Sequence, residues 1–539
     1  MIKLGFRIGF AAISMSASLL STDDARACGG CFHPEDVPPE QQSLVTSHRM
    51  ALSISPDVSV LWDQVEYAGS PAEFAWVLPV KPGARIEVAS DAWFEALEAA
   101  TAVRVSAPTI QCITRSTGAS TTEPEYYDDD YSYDYHGCQM SPGAVAGCGA
   151  EEVGAPQRST GEVVMLPEVT EVTEVEAAPE PVTVVHQGSA GPYETVTLHS
   201  DVPGALTLWL QENGFAIDPD VQPIIDAYSA DGFDFIALRL APEQGIQQMK
   251  PVRVIQPGAV TTLPLRMVAA GTGANVGMTL FVIGEGRWTV ENFPEVIRPD
   301  DINWDFSQQR SDYATQRNLA LASNDGSSWI TAYAHPGALL SPTTNPTTGA
   351  QVQYLTALGP ATTVADAFMD QAFANGEADL QCSGIYSALA MSGDVVRDPC
   401  PLEDGDCVPV AEGEIDARYF ACGPLDDLAV ALTGLHPRDV WVTRLESNLP
   451  RAALANDLIL TPASQLPLSS EIVADSFVNP PCDIATTPAR GQADRPRGSG
   501  RGAGGARGTS LMILVAGAAL AGMMARRLIR ARAHRLAPT

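Results

Sequence analysis

RMALSISPDVSVLWDQVEYAGSPAEFAWVLPVKPGARIEV, residues 49–88, alternates apolar and polar side chains over most of its length. Leu52, Ile54, Val58, Val60 and Trp62 fall on alternate positions, and Phe74, Trp76, Leu78 and Val80 repeat the pattern. A period of two built from β-branched and aromatic residues marks half-buried strands. Tyr67-Ala68-Gly69-Ser70-Pro71 supplies a turn between two of them. Asp91 to Ala102 then changes to helical spacing, with Trp93, Leu97 and Ala100 on one face.

The same reading extends along the chain. Val196 and Leu198 alternate with Thr195, Thr197 and His199 in a strand that starts near Tyr193. Val202–Asn213 has helical spacing with Leu206, Trp209 and Leu210 inward and Gly214 as a cap. Pro219–Tyr228 is a second helix. Phe233–Leu240, Val252–Ile255, Thr262–Val268 and Met278–Gly284 read as strands, and short helices and strands mix from about residue 300 to Pro480. The expected fold is α+β and β-rich, in two similar-sized parts with mixed sheets and short helices, stapled by disulfides.

Residues 113–185 depart from this pattern. They include YYDDDYSYDY at 126–135 and a later run of Glu, Val, Thr and Pro. High charge with few apolar residues marks an acidic low-complexity insertion. The expected divisions are a 28–112 β-rich part, this insertion, a 186–300 α+β part and a 301–482 Cys-containing part. A Gly/Arg/Pro linker at 483–509 follows.

Both ends carry targeting signals. Lys3 and Arg7 precede the apolar stretch Ile8–Leu20, and Ala25-Arg26-Ala27 offers small residues at −3 and −1. Residues 1–27 therefore read as a signal peptide cut before Cys28. A lipoprotein cut at Cys28 is disfavoured by Ala25 at −3 and Arg26 at −2. Ser510–Ala525 is uncharged, and the basic tail 526–539 holds Arg526, Arg527, Arg530, Arg532 and Arg535. This reads as a transmembrane stop-transfer helix with its basic end in the cytoplasm, so the membrane is a partner. Such a tail also resembles sorting tails that are removed after export. The body is then expected in the cell envelope, on the outer side of the membrane.

The 539 residues carry a formal charge of −33. Residues 1–27 hold three basic and two acidic side chains and 483–539 hold ten and two, which leaves 19 basic and 61 acidic between them, about −42. A body this acidic repels nucleic acid and anionic lipid, and suits a cation or basic protein partner or simple solubility.

All ten cysteines lie between the two signals: Cys28, Cys31, Cys112, Cys138, Cys148, Cys382, Cys400, Cys407, Cys422 and Cys482. In an exported protein an even count reads as five disulfides. Cys112 is expected to tether the insertion through Cys138 or Cys148, and the cluster from Cys382 to Cys422 to pair internally.

Cys28-Gly29-Gly30-Cys31-Phe32, the string Tyr67 to Val80, Trp209 to Phe215, the 233–240 strand, Thr262-Leu263-Pro264-Leu265-Arg266, Val442-Thr443-Arg444-Leu445 and Asp457-Leu458-Ile459-Leu460 together resemble a bacterial exported family, domain of unknown function 2330. The resemblance spans roughly residues 28–465, with the acidic insertion as a departure. Y-x-G-x-P-x-E-F-A-W-V-x-P-V is its most specific string. It implies export and a C-terminal anchor, and no reaction.

No catalytic motif is present: G-x-S-x-G, H-E-x-x-H and a phosphate loop are all missing, and no cofactor is implied. Cys28-x-x-Cys31 with His33 reads as disulfide chemistry before zinc or redox chemistry, which would want a helix starting at Cys31. Asp128, Asp129, Asp130 and Asp134, with His136, are weak calcium ligands because adjacent carboxylates diverge. His335 and His436 precede prolines, and His186 and His199 sit on β segments. The tryptophans read as core packing before a sugar platform. The expected function is a non-enzymatic binding or structural module of the envelope; the alternatives are an envelope hydrolase or thiol redox enzyme, and a calcium-dependent adhesin.

Overall fold

A computed structural model describes residues 31–32, 44–68, 75–112, 182–213, 221–241, 249–269, 272–345, 348–377, 391–400, 407–421 and 426–482. Residues 1–27, expected as a signal peptide, most of the expected insertion, and residues 483–539, expected as linker, membrane segment and basic tail, lie outside these residues. Among the described residues no helix is long and apolar enough to cross a membrane.

Two sheets carry the body. Their strands, in chain order, are β1 (Cys31–Phe32), β2 (Leu44–Ile54), β3 (Val58–Ala68), β4 (Ala75–Val80), β5 (Arg85–Val88), β6 (Thr183–Ala190), β7 (Tyr193–His199), β8 (Asp234–Leu240), β9 (Val252–Pro257), β10 (Thr272–Glu285), β11 (Glu295–Ile297), β12 (Trp329–Pro336) and β13 (Val440–Pro450). The larger sheet has eight strands in the order β11-β12-β13-β10-β2-β3-β9-β5. It is mixed: β10 runs parallel to β2 and β11 parallel to β12, and the other pairs are antiparallel. The smaller sheet has five strands in the order β1-β4-β8-β7-β6, all antiparallel.

The period of two seen in the sequence sets both faces of the larger sheet. Ala51, Val60, Trp62, Ile255, Phe281 and Ile283 face one way. They pack under helices α1 (Asp91–Thr101), α4 (Val364–Ala374) and α5 (Asp427–Leu432), while α2 (Ala205–Glu212) and α3 (Gln222–Ala230) belong to the other sheet. Trp93, Leu97 and Ala100 of α1 are fully buried there, and Ser90 caps the helix by accepting from the Ala92 N–H at 3.0 Å. Met50, Leu52, Leu61, Leu280 and Val282 face the other way into a second core. Helices α2 (Ala205–Glu212) and α3 (Gln222–Ala230) cover one face of the smaller sheet through Leu206, Leu210, Ile225 and Tyr228. Its opposite face meets the larger sheet where Trp76, Leu78, Tyr193, Ile236 and Leu238 pack on Val252 and Val254.

The β-rich mixed architecture with short helices matches the reading of the sequence. Three features differ. The stretches 28–112, 186–300 and 301–482 all send strands into the larger sheet, so the body up to Asp483 is one compact unit and not two similar-sized parts. Alternation marks a strand but not its partner, and the pairing of β13 with β10 joins residues more than 150 positions apart. Thr262–Val268 is a strand only over Thr262–Leu263. Pro264, which has no N–H to give a ladder, turns the chain into a helical turn at Leu265–Val268. Cys112 pairs with Cys482 and not with Cys138 or Cys148, and closes the body across a separation of 370 residues. Cys400 pairs with Cys407 inside the expected cluster. Cys28, Cys138, Cys148, Cys382 and Cys422 lie outside the described residues.

Candidate functional site

Glu194 and Arg239 are cross-strand partners on β7 and β8, and Ser189 of β6 opposes Glu194 from the other side. Opposed residues in an antiparallel pair share a face, so these three form one polar row across the smaller sheet. Two residues along, Gln187, Val196 and Ala237 make the next row on the same face. Further on come Leu198 and Phe235, which are fully buried beneath α2 and α3. The face therefore grades from a helix-covered apolar end to an open polar end.

A groove of about 790 Å³ occupies the open end. That is within the roughly 300–1,000 Å³ range of ligand sites. Its lining includes Gln187, Ser189, Glu194, Trp209, Asn213 and Arg239. Trp209 lies on α2 with its indole half-buried, and Asn213 follows at the helix end. The Asn213 Nδ2 donates to the Trp209 carbonyl at 2.8 Å, which holds the amide near the last turn that carries the indole. The Arg239 Nε donates to Glu194 Oε2 at 2.8 Å, and a second guanidinium nitrogen stands 2.7 Å from the same oxygen. The charged pair is balanced, so the lining carries no net charge; amide and hydroxyl groups alternate there with the indole and with the aliphatic Val184, Val196, Ala237 and Leu238.

A second constellation lies on the opposite side of β7 and β8, where the two sheets meet. Met50 of β2 opposes Asp63 of β3, and His48 opposes Val65, so His48 and Asp63 are diagonal neighbours. Both sit on the core-facing register of Met50 and Leu52. His48 Nδ1 is 3.1 Å from Asp63 Oδ1, and the two residues are 1% and 5% exposed. His48 Nε2 is buried with no hydrogen-bond partner among the described residues. It borders a cavity of about 20 Å³ walled by Leu61, Trp76, Leu78, Leu263, Leu265 and Met267. That space holds roughly one water. The Trp76–Pro79 and Leu263–Leu265 portions of the strings quoted above therefore line this spot.

Arg253, on the other face of the larger sheet, meets Asp427 at 3.1 Å, Asp426 at 2.7 Å and Glu87 at 2.7 Å. Burial pushes the Asp427 carboxyl above the usual range, against the pull of Arg253 and of hydrogen bonds from the Trp62 indole and the Ser90 amide. This network ties α5 to the sheet.

Cys31 begins a short strand paired with β4, not the helix that a redox-active pair at Cys28 and Cys31 would want. Asp128, Asp129, Asp130 and Asp134 fall outside the described residues, and among the described ones no group of three or more His, Cys, Asp or Glu could hold a metal. Trp62, Trp93 and Trp329 are fully buried, as core packing requires, while Trp209 opens to the groove. Trp209, expected to face inward, packs partly against the core of the smaller sheet and also lines the groove. Ser189, Glu194 and Arg239 become neighbours only through strand pairing. His48 and Asp63 did leave a signal: polar residues at core-facing positions of an alternating stretch.

The family model described as uncharacterized protein conserved in bacteria, DUF2330, matches residues 24–335. That is more than half of the chain, and the chain belongs to this family. No curated protein matches it. No solved structure matches it either.

Proposed function

We propose that the chain is an exported envelope protein whose smaller sheet binds an uncharged polar polymer, a neutral glycan, in the groove beside Trp209. The observation that carries this reading is the groove itself: ligand-sized, balanced in charge, and walled by one indole, planar amides, an ion pair and a few aliphatic side chains. A sugar ring presents a C–H face that stacks on an indole and paired hydroxyls that suit amide and carboxylate groups. A neutral polymer also escapes the repulsion that a body of about −42 exerts on anions. Export and anchoring are supported by the signal-like residues 1–27 and by the apolar segment before the terminal arginines. Binding is favoured over catalysis because the carboxylate lining the groove is engaged by Arg239, and the buried His48–Asp63 pair borders a cavity of only water size.

The purified chain is expected to co-sediment with insoluble chitin, a neutral glycan, and to stay in solution after Trp209→Ala. Equal sedimentation of both proteins, or of neither, counts against the proposal.

A further inference from the structure

The seam between the two sheets holds a second cavity, of about 160 Å³, lined by Asp63, Gln64, Val65, Trp76, Tyr193, Met249 and Lys250. It shares Asp63 and Trp76 with the water-sized space beside His48. Its volume is far above what one water fills, and it takes a ligand of several heavy atoms.

The polar groups of its wall are nearly all committed. Lys250 Nζ donates to Asp91 at 2.8 Å and to Glu377 at 2.6 Å. The Tyr193 hydroxyl donates to the Lys250 carbonyl at 2.7 Å and accepts from the Lys250 N–H at 3.0 Å. Gln64 accepts from Arg49 at 2.6 Å and donates to Asp91 at 2.8 Å. Asp63 differs: His48 engages Oδ1, and no hydrogen bond reaches Oδ2 among the described residues. That oxygen is not sealed in the interior, so it can take a donor from whatever enters the cavity.

We infer that this cavity binds a small organic ammonium ion, held by Asp63 and flanked by the Trp76 and Tyr193 side chains. Lys250, the one ammonium of the lining, is neutralised by Asp91 and Glu377 behind it, which leaves Asp63 as the carboxylate that meets an entering cation. Trp76 and Tyr193, 2% and 1% exposed, supply aromatic surface that favours a cation with an apolar body. A bare metal ion fits poorly, since no cluster of three acidic, His or Cys ligands forms among the described residues. The site is independent of the groove, which lies on the other face of the smaller sheet.

The test is a calorimetric titration of the purified full chain with n-butylammonium chloride, with n-butanol and sodium chloride as controls at matched ionic strength. Saturable binding of the ammonium alone is expected, with at least tenfold weaker binding in Asp63→Asn and no change in Trp209→Ala. Should Asp63→Asn fail to fold, Met249→Trp narrows the same cavity from its half-buried rim and is expected to abolish binding. The inference is overturned if the wild-type chain shows no saturation below about 10 mM, a free energy weaker than roughly −3 kcal/mol. Equal binding of n-butanol, or binding undiminished in the substituted chain that folds, also overturns it.

Discussion

Asp427 takes three donors at once: the Trp62 indole at 2.7 Å, the Ser90 amide at 2.9 Å and Arg253 at 3.1 Å. Removing the carboxylate leaves Arg253 buried beside fewer partners, and unpaired buried charge is expensive. Asp427→Ala is expected to lose about 3–5 kcal/mol in urea unfolding; a loss below 1 kcal/mol contradicts this role. His199 gives a pH signature. Its hydrogen bond to Asp234 at 2.7 Å raises its pKa, against a smaller opposing effect of burial and with help from Asp201. Protonated imidazole is thus favoured in the folded chain. The stabilisation is complete below the unfolded value of 6.5 and is lost as pH rises through the folded value. His199→Gln is expected to flatten the stability profile from pH 6.5 upward, read by denaturation at several pH values; an unchanged profile excludes the linkage. At this scale the sequence was partly legible. His48 and Asp63 interrupt an apolar register and so announce a buried polar pair, whereas Asp427, in the sequence Asp426-Asp427-Leu428, looks like any acidic helix start.

Element by element, the strands were legible wherever one face is buried, because alternation records burial directly. Strand β6 was harder: seven of its eight residues are exposed, so it has no buried face to impose a pattern, and the expected insertion ran into it as far as residue 185. The groove stands on that strand and inherited its illegibility. Turns record themselves through glycine when the backbone demands it. Gly434 follows α5 with φ +79°, and a Cβ there would clash with the Ser55 side chain, 2.8 Å from its Cβ. Gly434→Ala is expected to cost about 1–3 kcal/mol in unfolding from strain and overpacking together. An unchanged midpoint would show that the β2–β3 turn at Ser55 gives way freely.

For the molecule as a whole, long-range closure matters most. The Cys112–Cys482 bridge spans 370 residues and the Cys400–Cys407 bridge spans seven. Chain-entropy reasoning assigns roughly 6 kcal/mol to the first and roughly 2.5 kcal/mol to the second. Replacing both members of the long bridge by serine is therefore expected to lower the unfolding midpoint more than the same change in the short bridge. The reverse order would place the stabilisation elsewhere. Neither bridge could be chosen from cysteine spacing, since pairing depends on which chain ends the fold brings together. The division of the body was illegible for the same reason: strands close in sequence pair with strands from the far end.

The central claim is that the open end of the smaller sheet binds a neutral glycan through Trp209. Its most direct test is a titration of the purified chain with chitotetraose, followed by indole emission in the wild-type protein and by calorimetry in both the wild-type protein and Trp209→Ala. The account predicts a saturable change in indole emission in the wild-type chain and at least tenfold weaker binding in the variant, about 1.4 kcal/mol. No saturable change in the wild-type chain, or the same affinity without Trp209, would contradict it.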